Sequence, residues 1–344
     1  MLVLAYCWHH SLSPLRLSLI LALVVVPGRL AWSQSTDDSQ SRSPIQDSTA
    51  SEGDRVHIEG EPRLRNGTKP LTVNVDLVQV PVTVSDRMNH PVTNLQKEDF
   101  AIYENGVQQQ ISHFSSEDGP ISVGLILDFS KSMTNKVQTE RAAVEEFFRN
   151  ANPEDDYFVV TVSSKPQLIA TSAKSVRTIE SALGQITPDG GTALLDAIYL
   201  GADQMRHATH SRHALIIISD GGENNSRYHL REIKEMIRES DIQVYAIGLF
   251  DTALFKTYEE YMGRKWLGEI TDATGGRTFA IDSLSLLPEA AATISWELRN
   301  QYVLGYKPAE ATARAGRRRI KVLLTSHLKV PSLRPYYRRE YSVP

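Results

Sequence analysis

Val123-Gly124-Leu125-Ile126-Leu127-Asp128-Phe129-Ser130-Lys131-Ser132 is the stretch from which the rest of the chain can be read. Its first five residues form an unbroken apolar run, the pattern of a strand covered on both faces, as in a parallel sheet. The run ends in Asp128-x-Ser130-x-Ser132, where an oxygen-bearing side chain recurs at every second position. In an extended loop alternate residues point the same way, so these three would converge. Ligands of open α/β sheets bind beyond the carboxyl ends of the strands, and that is where this motif falls.

Downstream, strand and helix patterns alternate. Val137, Val144, Phe147 and Phe148 share a helix face, and Tyr157 to Val162 reads as a strand. Leu194, Ile198, Ala202 and Met205 mark a helix, Ala214 to Ile218 a strand, Leu230, Ile233 and Ile237 a helix, and Ile242 to Ile247 a strand. A helix over about 257–274 stops at Gly275-Gly276, Arg277 to Ile281 is a short strand, and Leu284, Leu287, Ala291, Ile294 and Leu298 form a final helical stripe. This rhythm predicts a doubly wound α/β domain with a mostly parallel sheet over residues 118–300.

Two more loops carry oxygen ligands to the same end of that sheet. Gly190-Gly191-Thr192 opens the helix of Leu194, and Ser219-Asp220-Gly221-Gly222 follows the strand of Ala214. Asp128, Ser130, Ser132, Thr192 and Asp220 together make two carboxylates and three hydroxyls. An all-oxygen set of this kind suits a hard divalent cation, Mg²⁺ first, with Mn²⁺ or Ca²⁺ as alternatives. Because the hydroxyls are neutral, the ion stays electrophilic and short of a ligand, which favours capture of an external carboxylate. The ordinary alternatives are helix N-caps for Asp128, Ser130, Ser132 and Thr192, and a turn residue for Asp220.

The flanks differ from the centre. Val73, Val75, Leu77, Val78, Val80, Val82 and Val84 alternate with near-period two, Phe100, Ile102 and Tyr103 mark a second strand, and Asn105-Gly106 signals a tight hairpin. Residues 71–117 therefore read as a small β module. After Asn300, extended segments in 301–344 are expected to return to it, making one all-β module from both chain ends. Upstream, Arg16, the apolar run Leu17 to Val26, and small residues at Ala31 and Ser33 read as a signal peptide over 1–33, which leaves no membrane span in the mature chain and a secreted, periplasmic or envelope location. Residues 34–70, polar from Gln34 onward, read as a disordered linker.

The Asp128-x-Ser130-x-Ser132 run, then Thr192, then Asp220, resembles the metal-ion-dependent adhesion site (MIDAS) of von Willebrand factor type A domains, over roughly residues 121–300. Val78 to Phe114, with Lys97-Glu98-Asp99-Phe100 and Tyr103-Glu104-Asn105-Gly106, and the segment Glu297 to Tyr306 resemble the flanking modules of a group of such proteins exported by Acidobacteria, extending the likeness to about 71–341. The resemblance implies a Rossmann-like sheet with one short antiparallel edge strand. It implies that Asp128 and Asp220 act largely through water in some states while the hydroxyls coordinate directly, and that the partner is a protein offering an Asp or Glu carboxylate.

Composition narrows the remaining classes. The chain has 344 residues, 41% hydrophobic and 23% charged, enough to bury a core. Its net charge is -4, and removal of 1–33 would take away Arg16 and Arg29 and no acid, giving -6. That charge argues against nucleic acid as a partner. The single cysteine, Cys7, excludes disulfides, Cys-ligated zinc, iron–sulfur centres and thiol nucleophiles from the rest of the chain. His207, His210 and His213 raise a zinc site against a histidine-rich helix end. Arg317-Arg318-Arg319 and Tyr336-Tyr337-Arg338-Arg339 raise a basic, aromatic binding face against a solvated, charged edge strand. Ser130 sits beside Lys131 but in no G-x-S-x-G or S-x-x-K motif, and no H-E-x-x-H occurs. A non-enzymatic, metal-dependent binding protein is expected. A structural envelope scaffold with a stabilising metal is the alternative, ahead of a metal-dependent hydrolase.

Overall fold

Fourteen strands and six α-helices order the described residues, which in this computed structural model are 77–116, 118–173, 176–250, 258–308, 316–325 and 333–343. The signal peptide over 1–33, the linker over 34–70 and the first residues of the β module, 71–76, lie outside them. In chain order the elements are β1 (Val78–Ser85), β2 (Phe100–Glu104), β3 (Val107–Gln109), β4 (Ile111–Ser115), β5 (Ser122–Asp128), α1 (Val137–Arg149), β6 (Asp156–Val162), β7 (Gln167–Ala173), α2 (Val176–Gly184) and α3 (Leu194–Met205). There follow β8 (His213–Ser219), α4 (Leu230–Glu239), β9 (Ile242–Leu249), α5 (Tyr258–Thr274), β10 (Thr278–Ile281), α6 (Leu287–Arg299), β11 (Tyr302–Tyr306), β12 (Gly316–Leu324), β13 (Arg334–Tyr337) and β14 (Glu340–Val343).

The central sheet runs β10-β9-β8-β5-β6-β7. Its strands are parallel except β7, which pairs antiparallel with β6 along one edge. Every residue of β5 is buried, as the apolar run requires. Because strand side chains alternate, Val123, Leu125 and Leu127 face one helical layer with Phe147 of α1 and Ile294 of α6. Ile126 faces the other, with Ile198 of α3, Ile237 of α4 and Leu267 of α5. The result is a three-layer α/β domain in which the loops at the carboxyl ends of the five parallel strands reach one face.

Two four-stranded sheets, β13-β1-β11-β4 and β14-β12-β2-β3, draw strands from before residue 118 and after residue 300. Their shared core contains Val80, Val82, Val84, Ile102, Tyr302, Leu304, Ile320 and Val322. The Asn105-Gly106 turn has positive φ at both residues and joins β2 to β3. The charged edge strand expected at Arg317-Arg318-Arg319 is corrected here: β12 lies between β14 and β2. Its alternation turns Arg318 inward, where it meets the buried Glu104 at 3.2 Å, because a buried guanidinium needs such a partner.

This β module meets the α/β domain at the amino ends of the central strands. Gln301 donates to Gln243 at the start of β9 at 2.6 Å and to Thr83 of β1 at 3.4 Å. Arg277, beside β10, pairs with Glu297 of α6, donates to Asn89 Oδ1 at 3.1 Å, and lies over the rings of Phe279 and Tyr336. The carboxyl-end loops are left open about 20 Å away, the length of a seven-residue strand.

Candidate metal centre

Strands β5 and β8 are paired in register, Leu127 opposite Ile218, so Asp128 and Ser219 leave the sheet side by side. Ser219 Oγ donates to Asp128 Oδ2 at 2.5 Å, and Ser130 N–H donates to Asp128 Oδ1 at 2.9 Å. The loop does not stay extended as the alternation suggested. Phe129 and Met133 are both buried, which draws the chain down into a single 3₁₀ turn over Lys131–Met133. That turn still brings the Ser130 and Ser132 hydroxyls to 3.1 Å, Ser130 buried and Ser132 on the open side.

Thr192 is fixed through its backbone. Its N–H donates to Asn224 Oδ1 at 2.9 Å, and its carbonyl accepts from Asn224 N at 3.0 Å and Asn225 N at 3.2 Å. Asp220 is buried too: Oδ1 accepts from Gly222 N at 3.2 Å and Oδ2 from Lys136 Nζ at 2.9 Å. A Cβ on Gly222 would lie 3.2 Å from Thr192 Oγ1 and 3.3 Å from Asp220 Oδ1. Oxygens from two separate loops thus converge on the point where Gly222 lacks a side chain, and a larger residue would crowd them. Ser130 does occupy the N-cap position of the 3₁₀ turn, as the cap alternative has it, but its side chain makes no cap hydrogen bond. Lys136 and Ala193 occupy the N-cap positions of α1 and α3 and no side chain caps either, while the first amides of α3 go to Glu223 and Ser226.

The charge in this region is mostly negative. Burial pushes the Asp128 carboxyl up to about 6, helped by the charge of Asp220 and opposed by hydrogen bonds from Ser130 and Ser219. Glu140 reaches in from α1 and accepts the Asp128 N–H at 3.1 Å, while its Oε2 has no hydrogen-bond partner among the described residues. Burial, then the charges of Asp128 and Asp220, holds Glu140 well above the ordinary carboxylate range. The two carboxylates of Asp128 and Asp220, with neutral hydroxyls at the mouth, fit a hard cation by donor chemistry. Among the described residues no group of three or more His, Cys, Asp or Glu could hold a metal, so a centre here depends on the hydroxyls. The zinc reading of His207, His210 and His213 finds no such group; His210 Nε2 lies 2.9 Å from the Glu154 carbonyl instead.

Ser219, Lys136, Glu140 and Asn224 complete the region and were not singled out in the sequence. One signal was available: Glu140 interrupts an otherwise apolar buried face of α1, with Val137, Ala143, Val144 and Phe147.

Residues 123–223 match the family of von Willebrand factor type A domains. That match lies inside the α/β part of the chain, runs from the start of β5 to just beyond β8, and does not include the β module. No curated protein matches the chain. Among solved structures it is similar to the conserved hypothetical protein BatB from Bacteroides thetaiotaomicron, at 18% identity over 52% of this chain and 98% of that one, with a TM-score of 0.39. It is also similar to a von Willebrand factor type A protein from Catenulispora acidiphila, at 13% identity over 72% and 74%, with a TM-score of 0.45. A third is proximal thread matrix protein 1 from the mussel byssus, described with a zinc-occupied MIDAS motif, at 16% identity with a TM-score of 0.41; the match covers 57% of this chain and 49% of the mussel chain.

Proposed function

We propose that the α/β domain is a non-enzymatic binding module that holds one divalent cation, Mg²⁺ first, on Asp128, Ser130, Ser132, Thr192 and Asp220, and through it takes up an Asp or Glu carboxylate of a protein partner. The observation that carries this reading is the convergence of Thr192 Oγ1 and Asp220 Oδ1 at Gly222, beside an Asp128 whose two oxygens are already oriented by Ser130 and Ser219. When bound, the cation supplies an open electrophilic position for an external carboxylate. Asp128 and Asp220 provide the negative charge, the three hydroxyls provide neutral oxygens, and the exposed Ser132 leaves the open side accessible.

The wider reading is a protein exported through residues 1–33, with flanks like those of the Acidobacterial group, acting at the cell envelope. The run Leu17 to Val26 supports export. Among the described residues no helix is long and apolar enough to cross a membrane.

Calorimetric titration with Mg²⁺ and Mn²⁺ tests the centre. Asp128→Ala should abolish metal binding and partner capture together, and Ser130→Ala should weaken both less. Unchanged metal affinity in Asp128→Ala would end the proposal. Metal binding with partner capture indifferent to chelator would make the ion a stabiliser of a scaffold.

A further inference from the structure

The charge of Asp220 disfavours ionisation of Asp128, the charges of Asp128 and Asp220 disfavour that of Glu140, and all three are buried. Among the described residues these three make one ion pair, from Asp220 Oδ2 to Lys136 Nζ at 2.9 Å. Lys136 is anchored at its backbone. Its N–H donates to the Met133 carbonyl at 2.7 Å, and its own carbonyl accepts the Glu140 N–H at 3.0 Å as α1 begins. Its side chain is different in character: 27% exposed, on a flexible four-carbon stem, against 8% for Asp220. The ammonium can therefore leave for solvent without disturbing the turn that carries it.

We propose that Lys136 is a tethered competitor at the metal centre, its ammonium and a divalent cation being alternative counter-charges for Asp220. This rests on the reading of Asp220 as a metal ligand. A divalent ion beside Asp220 repels the ammonium at the same short range over which Asp220 attracts it, and the repulsion acts in a partly buried setting where screening is weak. Cation uptake and release of Lys136 from Asp220 are then one event. Two consequences follow. Without metal, Lys136 offsets part of the carboxylate crowding, so the empty domain stays folded. With metal, the freed ammonium joins the exposed Lys131 near the mouth and adds positive charge where an acidic partner would approach.

The experiment uses the full chain. Calorimetry with Mn²⁺ and Mg²⁺ compares wild type, Lys136→Met, which keeps the apolar stem, and Lys136→Arg, which keeps the charge. Lys136→Met should bind both ions about tenfold tighter, the scale of losing one charged hydrogen bond from the competing state. It should also melt lower than wild type in chelator, while Lys136→Arg stays near wild type in affinity. Wild type gives a readout that does not depend on any variant folding. Labelling with an amine-reactive ester, followed by peptide mass spectrometry, should modify Lys136 faster when Mn²⁺ saturates the protein, with Lys131 as the exposed internal standard. Equal or weaker metal affinity in Lys136→Met, or Lys136 labelling unchanged by bound Mn²⁺, overturns the competitor while leaving the metal centre standing. If neither wild type nor Lys136→Met binds Mn²⁺ or Mg²⁺, the metal reading falls, and this inference with it.

Discussion

Ser219 holds Asp128 in place: it gives its hydroxyl proton to Asp128 Oδ2 and accepts the Gly221 N–H at 3.0 Å. Removing that hydroxyl leaves the carboxylate free to turn and costs a hydrogen bond to a charged group, about 1.5–3 kcal/mol. Ser219→Ala should therefore lower Mg²⁺ affinity by about tenfold or more, read by calorimetry, with the secondary structure intact by circular dichroism. A second residue carries a pH signature far from the metal centre. Burial outweighs the Arg277 guanidinium at Glu297 and pushes that carboxyl up from 4.5 to about 7. A raised carboxyl stabilises the fold fully below the unfolded value of 4.5, and that contribution is lost as pH rises through about 7. Wild type should thus lose more stability between pH 5 and 8 than Glu297→Gln does, measured as the shift in denaturant midpoint; Asp128 and Glu140 are common to both proteins and drop out of the difference. At this scale, Asp128, Ser130, Ser132 and Asp220 stand out in sequence because each closely follows the end of an apolar run, and Thr192 because it opens a helix after Gly190-Gly191. Lys136 and Glu140 are not, because they reach the site from a helix whose direction depends on the turn at Phe129 and Met133, and that turn is set by burial rather than spacing.

Among the elements, α5 bears most directly on the site. A Cβ on Gly263 would sit 1.9 Å from the Gly221 carbonyl oxygen, so α5 packs its backbone against the turn that follows Asp220. The near neighbour is backbone on both sides and cannot swing away. Gly263→Ala should push helix and turn apart, lowering stability by about 1–3 kcal/mol, the usual cost of overpacking, and weakening metal binding through Asp220; chemical denaturation and calorimetry on one sample check both. The elements not placed on residues from the sequence are β7, an antiparallel edge strand that the family resemblance implied without locating, and α2. β7 is the antiparallel edge of the sheet, and its Gln167-Leu168-Ile169-Ala170-Thr171 gives only a short apolar signal. α2 buries Ile179 and Leu183, too few for a clear periodic stripe. The strands and helices around β5, buried on both faces, stand out for the opposite reason.

For the whole molecule, the decisive pairings are long in sequence. β1 finds its neighbours in β11 and β13, and β2 finds one of its two in β12. Among the described residues the β2–β3 hairpin is the one pairing of two strands that closes within the first segment. Residues 71–117 alone should therefore fail to fold cooperatively, while residues 118–300 alone should fold and expose apolar surface where the β module sat. Thermal melts and binding of an environment-sensitive dye to each truncated chain test this; a cooperative melt from 71–117 would contradict it. The pattern of alternating residues announces β strands in both flanks, but which strand pairs with which is decided by the shared core, and composition carries no record of that.

The two crossings between module and domain are neighbours. The chain leaves β4 at Ser115 to enter β5 and returns from α6 into β11, and Ser115 faces Val303 across the β4–β11 ladder. A partner pulling on Asp128 would draw on both crossings at once and in the same direction. The tension then runs lengthwise along β4 and β11 together, setting β11 in shear against β1 instead of peeling β4 away. Hydrogen bonds of an antiparallel ladder lie across the strands, so they share such a load in parallel rather than breaking one by one. A load applied at the carboxyl ends of the central strands would thus be spread over the whole β1–β11 ladder.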